Sequence, residues 1–320
     1  MSGIKEFLSR TFKDSVNVAT TLYKVMIPTI IFVKIFEEMG GVEWFSDFIA
    51  PLMQLVGLPS EMGLVWATAM FINIYSSLVI LVNLDVPMTV AQASILSCMI
   101  LLAHSMPIEV SLAKKSGVSV WWAIVSRVGG ALLFAWILQL IYSTTGSLQD
   151  PAQIIWQTSV SGDIPLTDWA LNQVQNLGIV FVIILALILM LNLLKVLGIE
   201  RLIAKALSPF LRLLGISQEA TNLTLIGITL GLSYGGGLLV NEARKGHIPP
   251  RDVFTAITLL GLLHSLIEDT ILMLVIGADF NTIFWGRLIF VLVIVGTISR
   301  LIRLVDGKRY ERLFYRSVAI

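Results

Sequence analysis

The chain has 320 residues, of which 56% are hydrophobic and 13% charged; its formal net charge is +1 and its mean hydropathy +0.87. A water-soluble domain carries about 25% charged residues, so this composition excludes water as the main solvent of the surface. No basic face suited to nucleic acid is visible, and the single cysteine, Cys98, excludes an internal disulfide and a thiolate metal cluster.

Residues 1–20 are charged and amphipathic, without the apolar core and small-residue cleavage site of a signal peptide. They are expected to be retained and to lie on the membrane surface. A spanning helix needs about 20 mostly apolar residues, and six segments qualify: 20–38, 90–110, 119–143, 174–196, 253–276 and 283–303. Two more apolar stretches are interrupted, 62–83 by INIYSS at 72–77 and 220–241 by GLSYGGG at 231–237. Irregular backbone exposed to lipid is not tolerated at membrane depth, so both breaks belong in protein-lined cavities.

Charge decides whether the interrupted stretches cross. No Lys or Arg occurs from 35 to 113 or in the loop 144–173. With both stretches entering and leaving on one side, Lys114, Lys115, Arg201, Arg251 and the basic tail all fall in the cytoplasm. If both crossed instead, Lys114 and Lys115 would face out. The stretches are therefore predicted to be re-entrant hairpins, with both termini of the chain cytoplasmic.

An internal repeat follows. Gly40, Pro51 and Gly57 match Gly198, Pro209 and Gly215 at a spacing of 158, and His104, Gly117 and Arg127 match His264, Gly277 and Arg287 at 160. Each half reads as span, interfacial helix, broken hairpin, span, span. Three crossings per half place the second copy upside down, the inverted-topology repeat of secondary transporters. The interfacial helices carry opposite charge, Glu43 and Asp47 in the first against Arg201, Lys205 and Arg212 in the second. The expected fold is an all-α polytopic membrane protein of two such halves. Its parts are an amphipathic segment (1–20), a first repeat (21–145), a periplasmic linker (146–173), a second repeat (174–305) and a basic cytoplasmic tail (306–320).

Two of the three histidines are repeat equivalents, His104 in HSMPIE and His264 in HSLIED. Carboxylates follow each, Glu109 in the first motif and Glu268 and Asp269 in the second, and Arg127 and Arg287 come 23 residues after the histidines. Charges inside a bilayer face the bundle interior with a partner. A carboxylate beside a histidine suits a cation, a proton or a substrate; the pairs Glu109–Arg127 and Asp269–Arg287 would equally serve as pins between adjacent spans. These seven residues are the coupling or gating candidates. The two motifs are expected toward opposite faces of the membrane, which would keep them from sharing a metal ion. No metal and no cofactor is expected.

The hairpin tips are the substrate-site candidates, because half-helix ends expose backbone groups near the bilayer centre. The first offers Asn73, Tyr75, Ser76 and Ser77. The second offers Ser233, Tyr234, Gly235, Gly236 and Gly237, followed by Asn241 and Glu242. Three consecutive glycines weaken helix and are read as the break.

The segment LLKVLGIERLIAKALSPFLRLLGI at 193–216, followed by a broken apolar stretch with Gly and Asn, resembles the nucleoside-recognition gate domain. That domain occurs in spore maturation proteins A and B, in the membrane part of ferrous-iron transport protein B and in concentrative nucleoside transporters. Two copies cover about 25–145 and 175–305, so the chain resembles spore maturation proteins A and B joined in one polypeptide. The resemblance implies paired re-entrant hairpins, an elevator-like carrier and, as gate-type carriers tend to form them, a homo-oligomer. Function is then expected to be secondary transport of a small polar solute across the bacterial inner membrane by alternating access. The alternative is a non-transporting scaffold or a subunit of a larger complex. No nucleophile–base spacing suggests an enzyme.

Overall fold

The computed structural model describes residues 2–155, 165–230 and 232–316. Among them are fifteen α-helices and no strand. The first half holds α1 (Ser2–Glu38), α2 (Gly41–Leu55), α3 (Met62–Phe71), α4 (Ile74–Leu84), α5 (Val90–Leu102), α6 (Met106–Lys115) and α7 (Val120–Thr145). The second holds α8 (Leu166–Val196), α9 (Ile199–Leu213), α10 (Gln218–Leu230), α11 (Leu232–Arg244), α12 (Pro250–Leu262), α13 (Glu268–Leu274) and α14 (Arg287–Leu304), the last preceded by a π-helical turn at Asn281–Gly286. The tail adds α15 (Gly307–Leu313).

Among the described residues, five stretches are long and apolar enough to cross a membrane: Lys5–Glu38, Val90–Lys115, Val120–Thr145, Leu166–Val196 and Asn281–Leu304. The expected division at residue 20 is absent, for α1 runs through it. Residues 17–24 contain neither Gly nor Pro, and the hydroxyls of Ser15, Thr20 and Thr21 donate to carbonyls four residues back. α1 and α8 lie side by side and antiparallel. Asn192 donates to Thr11 Oγ1 at 3.1 Å near one end, and the Tyr23 hydroxyl donates to the Leu177 carbonyl further along.

Two expected spans are not continuous. The segment 90–110 breaks between α5 and α6, and 253–276 breaks between α12 and α13. At each break a serine adopts the left-handed conformation, Ser105 at φ 46° and Ser265 at φ 45°. The interrupted stretches are helical pairs, α3 on α4 and α10 on α11. Each helix of 10–13 residues is roughly 15–20 Å long, about half of a ~30 Å hydrocarbon layer.

Contacts sort the connections into two ends. At one, Gln92 donates to the Gly57 carbonyl, Thr89 bridges Pro151 and Ile155 N donates to Val275 O. Thus the loops before α3 and after α4 meet the 146–155 segment and the turn before the π-helix. At the other, Val118 bridges Tyr315, Arg251 donates to the carbonyls of Arg303 and Val305, Ser217 N donates to Asp252 and Ser299 donates to Leu214 O. The loops before α10 and after α11 therefore sit with the tail. The first end has Asp85, Asp150 and Asp279 and no Lys or Arg in these loops, whereas the second has Lys114, Lys115, Arg251, Arg303, Arg312 and Arg316.

Local geometry repeats along with sequence. α2 and α9 each have 15 residues, each follows a left-handed glycine (Gly40, φ 72°; Gly198, φ 71°) and each carries an internal proline (Pro51; Pro209). The densest burial lies in α3, α4, α5 and α12, where Trp66, Leu78, Leu96, Met99 and Phe254 are essentially inaccessible.

The tail is docked on the 114–121 turn: Ser119 N donates to Phe314 O, Arg316 N to Gly117 O, and Trp121 Nε1 to Leu313 O at 2.6 Å. Gly117 has φ +93°, and a Cβ there would stand 2.6 Å from the Arg316 carbonyl. Gly117→Ala is expected to cost about 1–3 kcal/mol and to release the tail. Limited trypsin digestion checks this, with cleavage at Arg309 and Arg312 expected at conditions where the parent chain is resistant.

Candidate functional site

The two helix breaks face each other at the centre of the molecule. A helix that stops in an apolar interior leaves its last carbonyls without partners, and the motif residues fill that need. His104 Nδ1 lies 2.9 Å from Ile100 O. Arg127 Nε and Nη2 donate to the carbonyls of Leu102 and His104, each at 3.0 Å. The second half repeats the pattern: His264 Nδ1 lies 2.8 Å from Leu260 O, and Arg287 Nη2 donates to His264 O at 3.1 Å. Gly261 lies against the Arg127 chain, where a Cβ would make ordinary contact with Arg127 Cδ at 3.4 Å.

With their Nδ1 atoms turned back to the helices, the rings present Nε2 inward. His104 Nε2 and His264 Nε2 are 3.0 Å apart. Glu109, in the first turn of α6, puts Oε1 3.5 Å from the first and 3.4 Å from the second. Asp269, in the first turn of α13, brings Oδ2 to 3.8 Å from His104 Nε2. All four residues are at most 8% exposed. The two motifs thus form one cluster, correcting the expectation of two sites near opposite faces. The reason is that each expected span is broken at its histidine, and the two breaks meet.

The two arginines are not equivalent. Arg127 Nη1 is 2.6 Å from Glu109 Oε2, a close ion contact that is not aligned as a hydrogen bond. No close ion pair joins Arg287 to a carboxylate among the described residues, and its Nε and Nη1 lack hydrogen-bond partners, as does Asp269 Oδ2. The expected Asp269–Arg287 pin is therefore open. Aspartate is shorter than glutamate by one carbon–carbon bond, about 1.5 Å. Glu268 is half-buried and lies beside this cluster, within electrostatic reach of Lys195.

The hairpins meet the cluster through backbone. Ser105 N donates to Ala69 O at 2.9 Å and Leu266 N to Ile228 O at 3.1 Å. At the first tip Asn73 caps α4, its Oδ1 accepting from Ser76 N at 2.8 Å, and the Ser77 hydroxyl donates to Ile74 O. The buried Ser76 hydroxyl has no partner, and Tyr75 lies within electrostatic reach of Glu268 and Asp269. At the second tip the side chains of Ser233 and Tyr234, and the surroundings of Gly235 and Gly236, lie outside the described residues. The backbone of 232–244 is helical, so the glycine run is not the break expected of it. A helix satisfies its own backbone groups where lipid and protein offer none, and that outweighs about 1 kcal/mol per glycine. Gly237 falls within the same helix. Asn241 and Glu242 sit at the far end of α11, roughly 15 Å from its start. There Lys245 and His247 hydrogen-bond the Glu242 carboxylate at 2.7 and 2.8 Å and hold it below the usual carboxylate range.

A cavity of about 20 Å³ adjoins Glu109 and Arg127, lined also by Ala113, Val118, Trp122 and Thr258, with room for about one water. It lies on the side of the cluster toward the basic end. Trp122 Nε1 donates to Thr258 Oγ1 at 3.1 Å across it. Neither residue stands out in the sequence: Trp122 reads there as an interface anchor.

No family model and no solved structure matches the chain. It is similar to an uncharacterized membrane protein, YvoD, of Bacillus subtilis (strain 168), with 27% identity over 261 residues that cover 80% of this chain and 82% of that protein. Taken with its five long apolar helical stretches, the chain is a multi-pass, all-α membrane protein in contact with the lipid bilayer.

Proposed function

We propose that the chain is a secondary transporter of the inner membrane that moves a small polar solute by alternating access. In this reading the halves are an inverted repeat of nucleoside-recognition gate type. The α3–α4 and α10–α11 pairs enter the bilayer from opposite faces, and the basic end, with both termini, is cytoplasmic. Solute binds between the two hairpin tips and the central cluster.

The observation that carries the reading is the unequal pair of latches. Glu109–Arg127 is closed while Asp269–Arg287 is open, although both sets occupy equivalent places. A carrier needs two arrangements of similar energy, each shutting one face. Equivalent ion pairs that close in turn provide them, and the open pair leaves donors and an acceptor ready for its own closure.

Uptake into proteoliposomes of labelled nucleosides, organic acids, amino acids and divalent metal ions tests this. Wild-type protein is expected to move one of these classes saturably, and Glu109→Gln with Asp269→Asn is expected to reduce that flux at least tenfold. Unchanged flux in the double variant would remove the gating role. No flux of any class by folded wild-type protein would leave the scaffold reading in its place.

A further inference from the structure

We propose that the central cluster is a binding site for one divalent transition-metal ion, held by His104 Nε2, His264 Nε2, Glu109 Oε1 and Asp269 Oδ2. Each Nδ1 lies 2.8–2.9 Å from a backbone carbonyl oxygen, and a carbonyl can only accept, so each Nδ1 carries the ring proton. In a neutral imidazole the other nitrogen is then a bare lone pair. Two such lone pairs point at each other over 3.0 Å, with a carboxylate oxygen 3.4–3.5 Å from both. Three acceptors converging in a buried place have nothing to donate to one another; the space between them is built for a cation.

Spacing selects the kind of cation. Ligand atoms 2.0–2.1 Å from an ion in a tetrahedron stand roughly 3.3–3.4 Å from one another. Among His104 Nε2, His264 Nε2 and Glu109 Oε1 the separations are 3.0, 3.4 and 3.5 Å, and Asp269 Oδ2 stands 3.8 Å from His104 Nε2 at the edge of this trio. Two imidazoles and two carboxylates suit zinc, iron, cobalt and manganese and are a poor match for the all-oxygen shells of calcium and magnesium. The surroundings have the form of a metal site's outer shell. Both rings are oriented through Nδ1–H to carbonyls, and Glu109 is held by Arg127 through its other oxygen. Asp269 Oδ2, buried and without a hydrogen-bond partner, is the fourth donor. Two ligands come from each half, so the ion would join the halves at the point where they meet.

The proposal does not depend on transport and is tested at equilibrium. Full-length protein is stripped with chelator in detergent, checked for an unchanged helical spectrum, and titrated with Co²⁺. The expected result is one ion per chain with the intense visible absorption of four-coordinate cobalt, displaced by Zn²⁺. His104→Gln and His264→Gln are each expected to weaken binding more than about 100-fold, beyond the 10–100-fold typical of outer-shell changes. Thr297→Ala, on the exposed face of α14 and outside the donor set, is expected to leave binding unchanged. Folded protein that takes up no Co²⁺, or takes it up equally in both histidine variants, overturns the proposal and leaves a proton shared between the imidazoles as the occupant. Neither outcome bears on whether a solute is carried, which the flux assay decides alone.

Discussion

Arg127→Leu is expected to destabilise the protein by about 3–5 kcal/mol, because it strips a buried carboxylate of its counter-charge. Glu109 is 8% exposed and Arg127 3% exposed, so bulk water cannot take over the lost contact. The carbonyls of Leu102 and His104 lose donors in the same step, and an unsatisfied buried carbonyl costs a further ~1–3 kcal/mol at most. Arg287→Leu is expected to cost less, since that side chain makes one hydrogen bond and no close ion pair among the described residues. Unfolding by titration of SDS into detergent micelles measures both. Adding Glu109→Gln to Arg127→Leu should recover part of the loss, because the orphaned charge is then gone. Equal losses for the two arginines would show that the latch asymmetry carries no energy.

Trp66→Ala is expected to cost about 3–5 kcal/mol by leaving a cavity in the most tightly buried part of the molecule. Trp66 is 1% exposed, and its Nε1 donates to Met99 O at 3.2 Å, tying α3 to α5. Trp66→Phe keeps most of the volume and loses the hydrogen bond, so about 1 kcal/mol is expected. The same titration orders the variants. Accessibility of a cysteine placed at Pro59 should rise in Trp66→Ala, because that side chain holds the first hairpin against the broken helix. An alanine variant as stable as the phenylalanine variant would mean that α3 is held elsewhere.

Much of this architecture is legible in the sequence. The repeat is carried by glycines that share a left-handed backbone, Gly40 with Gly198, Gly57 with Gly215 and Gly117 with Gly277, and by histidines and arginines that share hydrogen-bond roles. The charge-poor and basic ends follow from where Lys and Arg are missing. The helix breaks at 103–105 and 263–267 were hidden, because apolar residues flank them and a hydropathy window reads straight through. Pro107, at the start of α6, is the one signal available, since proline suits the first turn of a helix; the second break has no such mark. Left-handed serines have no signature in composition. The glycine run misleads for the opposite reason, because its local preference yields to the need of buried backbone for internal bonds.

The single methylene that separates Glu109 from Asp269 has a kinetic meaning. Two halves of identical sequence would give end states of equal depth, and occupancy would divide evenly between them. Here Glu109 contacts its arginine and Asp269 does not, so in the proposed carrier one end state would form the lower well. In the carrier proposed above, escape from that well would be the slow step of each cycle.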